Sequence, residues 1–224
     1  MKWEREILLN EKSIATEAIR VRQRFIACAQ LDTSQAWSDL ALEIFRFQAQ
    51  VNPVYRRDVE LMEVDAMQVR SIEDIPFLPV ELFQTQRVSV FPSPRSDLHC
   101  FENSGTTGSL VSKHPIDDLE WYDQVTAAGF ERLMSPWSQK MFFFGLLPGY
   151  LERKTSSLVH MVQSFMERAG QSDSEEWFFL NDFDALEERL QGIHDAGHSK
   201  DEPIYLVGVT HALLKWSGQV QLRA

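Results

Sequence analysis

Apolar residues recur at helical spacing along the first quarter of the chain. In SIATEAIRVRQRFIACAQL the positions Ile14, Ala18, Val21, Phe25 and Cys28 form one stripe, with arginines set between them. A second helix follows in SQAWSDLALEIFRFQAQV, where Trp37, Leu40, Ala41, Ile44, Phe45 and Gln48 keep the same period until Pro53. Asp32, Thr33 and Ser34 offer side-chain oxygens for its first turn. In SIEDIPFLPVELFQTQRVSVF, Pro76 and Pro79 push Ile75 and Leu78 toward extended backbone, which reads as a connector.

Beyond about residue 88 the rhythm changes. Short apolar runs, VSVF, LHCF, KMFFFGLL, EWFFL and PIYLVGV, alternate with amphipathic stretches around IDDLEWYDQVTAAGFERLM, SSLVHMVQSFMERA, DFDALEERLQ and HALLKWS. The runs at 140–147 and 204–209 are apolar without alternation, as a strand covered on both faces requires. The expected architecture is therefore α/β. A helical region spans 1–75, and a mainly parallel sheet with flanking helices spans 76–224, joined by right-handed crossovers. The charged stretch AGQSDSEE reads as a solvated surface loop.

Composition narrows the partners. With 224 residues and 44% hydrophobic content the chain can bury a core without disulfides or metals. Its formal charge of -11, with no visible basic patch, argues against nucleic acid or an anionic membrane as a general partner. The two cysteines, Cys28 and Cys100, lie in unrelated contexts, which points to a reducing compartment rather than a disulfide framework. MKWEREILLN lacks the apolar core of a secretory signal, and MFFFGLLPGYL is broken by Gly and Pro and shorter than the roughly 18 residues of a membrane span. A soluble cytoplasmic protein is expected.

The stretch HCFENSGTTGSLVSKHP carries the densest chemistry. Gly105 and Gly108 permit close backbone approach and positive φ, so successive amides can converge on an anion. Ser104, Thr106, Thr107 and Ser109 add four hydroxyls within six residues, suited to phosphate oxygens and to a bridging Mg2+. The spacing matches neither the P-loop nor the dinucleotide-binding fingerprint. Lys113 is the nearest positive charge, and a helix is expected to start over His114, Pro115, Ile116, Asp117, Asp118 and Glu120. The alternative for SGTTGS is a plain surface turn.

FENSGTTGSLVSKH resembles the phosphate-binding signature of adenylate-forming acyl ligases. With IPFLPVELFQTQRV ahead of it and LLPGYLERKTSSLVHMV and YLVGVTHALL behind, it is similar to the acyl-protein synthetase branch, the fatty-acid-activating component of bacterial luminescence systems, whose cousins are the phenylacetate-CoA ligases. The resemblance implies a partial adenylate-forming ligase core. Its cofactors are ATP and Mg2+, and it activates a carboxylic, fatty acid as acyl-adenylate and transfers it to a thiol of a protein, carrier or CoA. It places Ser104, Gly105, Thr106, Thr107, Gly108 and Ser109 on the ATP phosphates and Thr210 and His211 beside the adenine or acyl group. Tyr150, Ser157 and His160 fall in the acyl pocket. Thr107 and Lys113 are the catalytic candidates. Asn103 stands where many relatives carry Ser or Thr. Relatives continue into a further strand, an acidic metal motif and a C-terminal lysine domain, so the expectation is a chain inactive alone. The alternative is a non-catalytic module, or a split subunit whose partner chain supplies the C-terminal half.

Other residues weigh less. Cys100 sits in an apolar strand pattern without a neighbouring base, and Cys28 on a helix face, so both read as packing. His194 and His198 have i, i+4 spacing, but Gly197 spoils a metal-binding helix, and no metal pair is expected. His160 faces an acyl pocket or packs on the sheet. His211 opens a helix after a buried strand, where ligands gather in α/β sheets.

Overall fold

The computed structural model describes residues 11–31, 33–91, 99–103, 111–147, 155–197 and 199–219. The fold is mixed α/β, and contacts divide it into two compact units, Met1–Asp117 and Asp118–Ala224.

The first unit opens with α1 (Glu11–Leu31), α2 (Ser34–Val51) and α3 (Pro53–Leu61). Thr33 starts α2 by accepting the Ala36 amide at 3.2 Å. Asn52 serves two helices. Its backbone N–H closes α2 on Gln48, and its side-chain oxygen accepts the Val54 and Tyr55 amides that open α3, with Pro53 at the first helical position. Helix α2 buries two faces: Leu42, Phe45 and Ala49 meet Tyr55, Val59 and Val69, while Phe47 meets Ile14 and Phe91. The connector holds a 3-10 turn at Ile72–Asp74 and the short helix α4 (Leu82–Thr85). VSVF forms no strand. Val88 and Val90 are half-buried and Phe91 is fully buried.

The hairpin partner of β1 (His99–Glu102) is β2 (Lys113–Ile116), antiparallel, with Phe101 opposite His114 and Cys100 opposite Pro115. This corrects the helix expected from His114 onward. Pro115 tolerates a two-stranded ladder, where its missing N–H need not face a second neighbour. The helix waits for Asp118, whose carboxylate accepts the Trp121 amide at 3.0 Å and starts α5 (Leu119–Leu133).

In the second unit β3 (Phe142–Leu146) pairs in parallel with β4 (Ile204–Gly208), Phe142 opposite Ile204 and Leu146 opposite Gly208. The absence of alternation in β3 has the expected cause. Phe143 packs on Val159, Val162, Phe165 and Met166 of α6 (Ser157–Arg168). Phe144 and Leu146 pack on the opposite face against α7 (Phe183–Asp195) and α8 (Thr210–Gln219). Side chains of this size are worth about 1.5–3 kcal/mol each when fully buried. In place of the single mainly parallel sheet expected, the described residues form two separate two-stranded sheets, one antiparallel and one parallel. EWFFL supplies a 3-10 turn at Ser174–Trp177 and a single parallel bridge, Phe178 to Gly145. Asp173 and Leu180 at φ 55° and 48° bend the chain on either side, while Phe178 and Phe179 still reach the core.

The reading of AGQSDSEE as merely solvated is also corrected. Gln171 is 6% exposed, and its amide donates to the Phe143 carbonyl at 2.9 Å and accepts the Phe143 N–H at 2.7 Å.

Candidate functional site

The segment between β1 and β2 leaves and re-enters the structure through a tied neck. The Asn103 N–H donates to the Ser112 carbonyl at 3.2 Å, and the Ser112 N–H donates to the Asn103 side-chain oxygen at 3.1 Å. Ser112 is 1% exposed. Two bonds on one residue pair hold the ends of residues 104–110 together, and the second exists because position 103 is Asn, with an acceptor oxygen of the right reach. Sequence reasoning read Asn103 only as a lost hydroxyl. Ser104, Gly105, Thr106, Thr107, Gly108 and Ser109 themselves lie outside the described residues, as does Tyr150.

Lys113 flanks the neck on β2 and is exposed. Its ammonium lies 4.0 Å from the carboxylate of Glu102, its cross-strand neighbour in the ladder. That carboxylate offsets much of the charge Lys113 would present to an anion. Cys100 is half-buried opposite Pro115, and Cys28 is buried with its thiol donating to the Ala36 carbonyl at 2.9 Å.

The other expected residues lie in the second unit, at the carboxyl ends of the parallel strands. The helices after β3 and β4 go to opposite faces: α6 covers Phe143 and α8 covers Phe144. Divergence of the helices that follow adjacent parallel strands marks their carboxyl edge as the position where α/β sheets hold ligands. Ser157 opens α6 behind the cap Ser156, and Thr210 and His211, both exposed, open α8. Gly208 permits the close pairing there, because a Cβ on it would stand 2.8 Å from the Leu146 carbonyl oxygen.

His160 follows one turn into α6. Its Nε2 is 2.8 Å from the Asp123 carboxylate, and its ring lies 5.8 Å from that of Tyr122. Tyr122 in turn donates its hydroxyl to the Ser157 carbonyl at 3.2 Å. Burial pushes the Tyr122 phenol up, Asp123 adds to this, and the bond to Ser157 opposes it. His160 therefore packs against α5 as part of a polar cluster. Neither Tyr122 nor Asp123 carries a sequence signal, since both sit within an ordinary amphipathic helix.

A groove of about 780 Å³ opens at the other end of β3 and β4, lined by Lys140, Phe142, Trp177, Phe179, Arg189 and Glu202. Four of its charges form pairs, Lys140 with Glu202 and Arg189 with Glu176, each at 3.1 Å, Glu188 lines it as well, and Arg189 stacks over Trp177 at 4.6 Å. It lies at the amino ends of the strands, away from the carboxyl edge. Among the described residues no group of three or more His, Cys, Asp or Glu is placed to hold a metal ion; His194 is exposed at the end of α7, and His198 lies outside the described residues. Comparison with protein-family models, curated proteins and solved structures finds no match to the chain.

Proposed function

We propose that the chain takes part in ATP-dependent activation of a carboxylic acid, with transfer of the acyl group to a thiol. The observation that carries the reading is the S-G-T-T-G-S segment, residues 104–109, strung between β1 and β2 on the neck tied by Asn103 and Ser112. A hairpin with fixed ends is the support an anion-binding bend needs, since amides converge on a phosphate only if the chain is drawn back on itself. The four hydroxyls and two glycines of the sequence fit ATP phosphates and Mg2+ in donor chemistry. Bound there, Mg2+ would neutralise phosphate charge as pyrophosphate departs.

In this reading the residues of the loop orient the triphosphate so that the acid's carboxylate oxygen meets the α-phosphorus. The bond to pyrophosphate breaks, and the acyl carbon gains AMP as a good leaving group. A thiol then attacks that carbon and AMP is released. Thr107 is the hydroxyl proposed to hold the phosphates during the first step, with Lys113 in a lesser role because Glu102 faces it. Thr210 and His211, at the carboxyl edge within the second unit, are proposed for the adenine or acyl group on the strength of the resemblance. Ser157 and His160 are proposed near the acyl carbonyl, where the His160–Asp123 pair suits a polar group better than a hydrocarbon chain.

A second reading is favoured by β4. All five of its residues are half-buried, and among the described residues it pairs only with β3, leaving one apolar edge open. Such an edge fits a module completed by a partner chain's strand.

The test is pyrophosphate exchange with a panel of acids. Exchange is expected from the chain together with a partner chain that supplies the C-terminal half, and not from the chain alone, and Thr107→Val should reduce it at least about tenfold through loss of one phosphate donor. Nucleotide binding without exchange supports the module, and neither binding nor exchange removes both.

A further inference from the structure

The groove at the amino ends of β3 and β4 lies wholly within the second unit, and its volume of about 780 Å³ falls inside the roughly 300–1,000 Å³ range of sites that take small organic ligands. Phe142, Trp177, Phe179 and Ile193 give it apolar surface. On the α7 side the lining residues Ala185, Gly192 and Ala196 are small, and a Cβ added at Gly192 would meet nothing within 4 Å. That side of the groove has room for a flat body laid against the helix.

The charges lining the groove select the sign of an occupant. Three are carboxylates, Glu176, Glu188 and Glu202, and two are cations, Lys140 and Arg189. Lys140 donates to both oxygens of Glu202 at 3.1 Å and lies 5.2 Å from the centre of the Phe142 ring. Arg189 joins Glu176 while covering the Trp177 ring. Glu188 is exposed and has no hydrogen bond or ion pair among the described residues, so one negative charge is left in excess. An anion would have to draw Lys140 or Arg189 away from its carboxylate and approach the unpaired Glu188, in a chain whose formal charge is -11. A cation finds Glu188 open to it, beside ring faces of a kind that already hold charged nitrogen in this groove.

We propose that this groove binds a small organic cation, an aromatic ring carrying a primary ammonium group, with the ring against Phe179, Ile193 and the Gly192 side of α7 and the ammonium donating to Glu188. Walls built chiefly of rings favour an aromatic body over an aliphatic one, because ring pairs gain contact energy beyond the area they bury. A primary ammonium, compact and with three donors, suits a single carboxylate better than a planar guanidinium does. The groove lies at the opposite end of β3 and β4 from their carboxyl edge, and the inference does not depend on the acid-activating reading.

Calorimetric titration of the full chain with tryptamine tests it, with tryptophol as the neutral counterpart and indole-3-propionate as the anionic one. Tryptamine should bind saturably and about three- to fivefold more tightly than tryptophol, within what one exposed ion pair supplies, and indole-3-propionate more weakly than either. Added salt should narrow the gap between amine and alcohol. Glu188→Gln should bring those two to equal affinity, whereas Glu187→Gln, one residue away on α7 and outside the groove lining, should leave the gap as it is. Gly192→Leu should weaken both at least about fivefold by crowding the seat of the ring. Positions 188 and 192 are both exposed, and leucine is the better helix former at 192, so these variants keep the fold. The proposal is overturned by an absence of saturable tryptamine binding, by equal or tighter binding of tryptophol or the propionate, by binding indifferent to Gly192→Leu, or by an amine preference that survives Glu188→Gln or falls equally with Glu187→Gln.

Discussion

Gln171 does with one side chain what a neighbouring strand does with a backbone. Its carboxamide answers both the N–H and the carbonyl of Phe143 in the centre of β3, a site with 1% exposure at Phe143 and 6% at Gln171. Replacing it with Ala leaves two buried backbone groups without partners at about 1–3 kcal/mol each. Urea unfolding of Gln171→Ala should therefore show a loss of roughly 2–6 kcal/mol with an unchanged m-value. Tyr55 and Tyr122 give a second residue-level expectation. Burial raises both phenols above their ordinary value of 10.0, so each favours the folded state while neutral. That stability is whole below about pH 10 and is lost as pH climbs through the raised folded values. Thermal melts taken across the alkaline range should show a steeper fall for the native sequence than for a Tyr55→Phe, Tyr122→Phe double variant.

Among the elements, periodicity was legible wherever one stripe or one continuous run decided the outcome. The α2 pattern ends where Pro53 stands, and the unbroken run at 140–147 is a strand covered on both faces. What periodicity could not show was long-range pairing. Pro115 looked like a helix start because nothing local reveals that Cys100 lies opposite it. EWFFL looked like a strand because a single bridge to Gly145 buries its aromatic residues as well as a ladder would. The site was legible only as residue types: the hydroxyls of 104–109 announce themselves, whereas Asn103, Tyr122 and Asp123 act through partners distant in sequence. Gly145 shows the cost of that hidden bridge. A Cβ there would meet the Phe178 ring at Cδ1 and, at 2.6 Å, at Cε1. Gly145→Ala should lose about 1–3 kcal/mol as the ring is displaced from the sheet. In a Phe178→Leu background the same change should cost markedly less, a coupling that a double-mutant cycle in urea would measure.

At the scale of the whole chain the governing quantity is charge. The protein carries a formal -11, and the ligand proposed for residues 104–109 is itself polyanionic. Local amides can make the bound state favourable, but an approaching nucleotide feels the summed field before it feels any amide. Among the described flanks of that segment the one cation, Lys113, stands 4.0 Å from the carboxylate of Glu102 and steers little. Association should consequently run against the field, and salt, which shortens the screening length to about 8–10 Å near physiological strength, should relieve the repulsion. Stopped-flow mixing of the chain with a fluorescent ATP analogue and Mg2+ is expected to give an association rate constant that rises from low salt to physiological salt. Glu102→Gln, which removes one opposing charge and uncovers Lys113, should raise the low-salt rate and flatten its salt dependence. A rate that falls with salt instead would mean that a local positive potential governs the encounter, and the loop would then need cations beyond Lys113 to be understood.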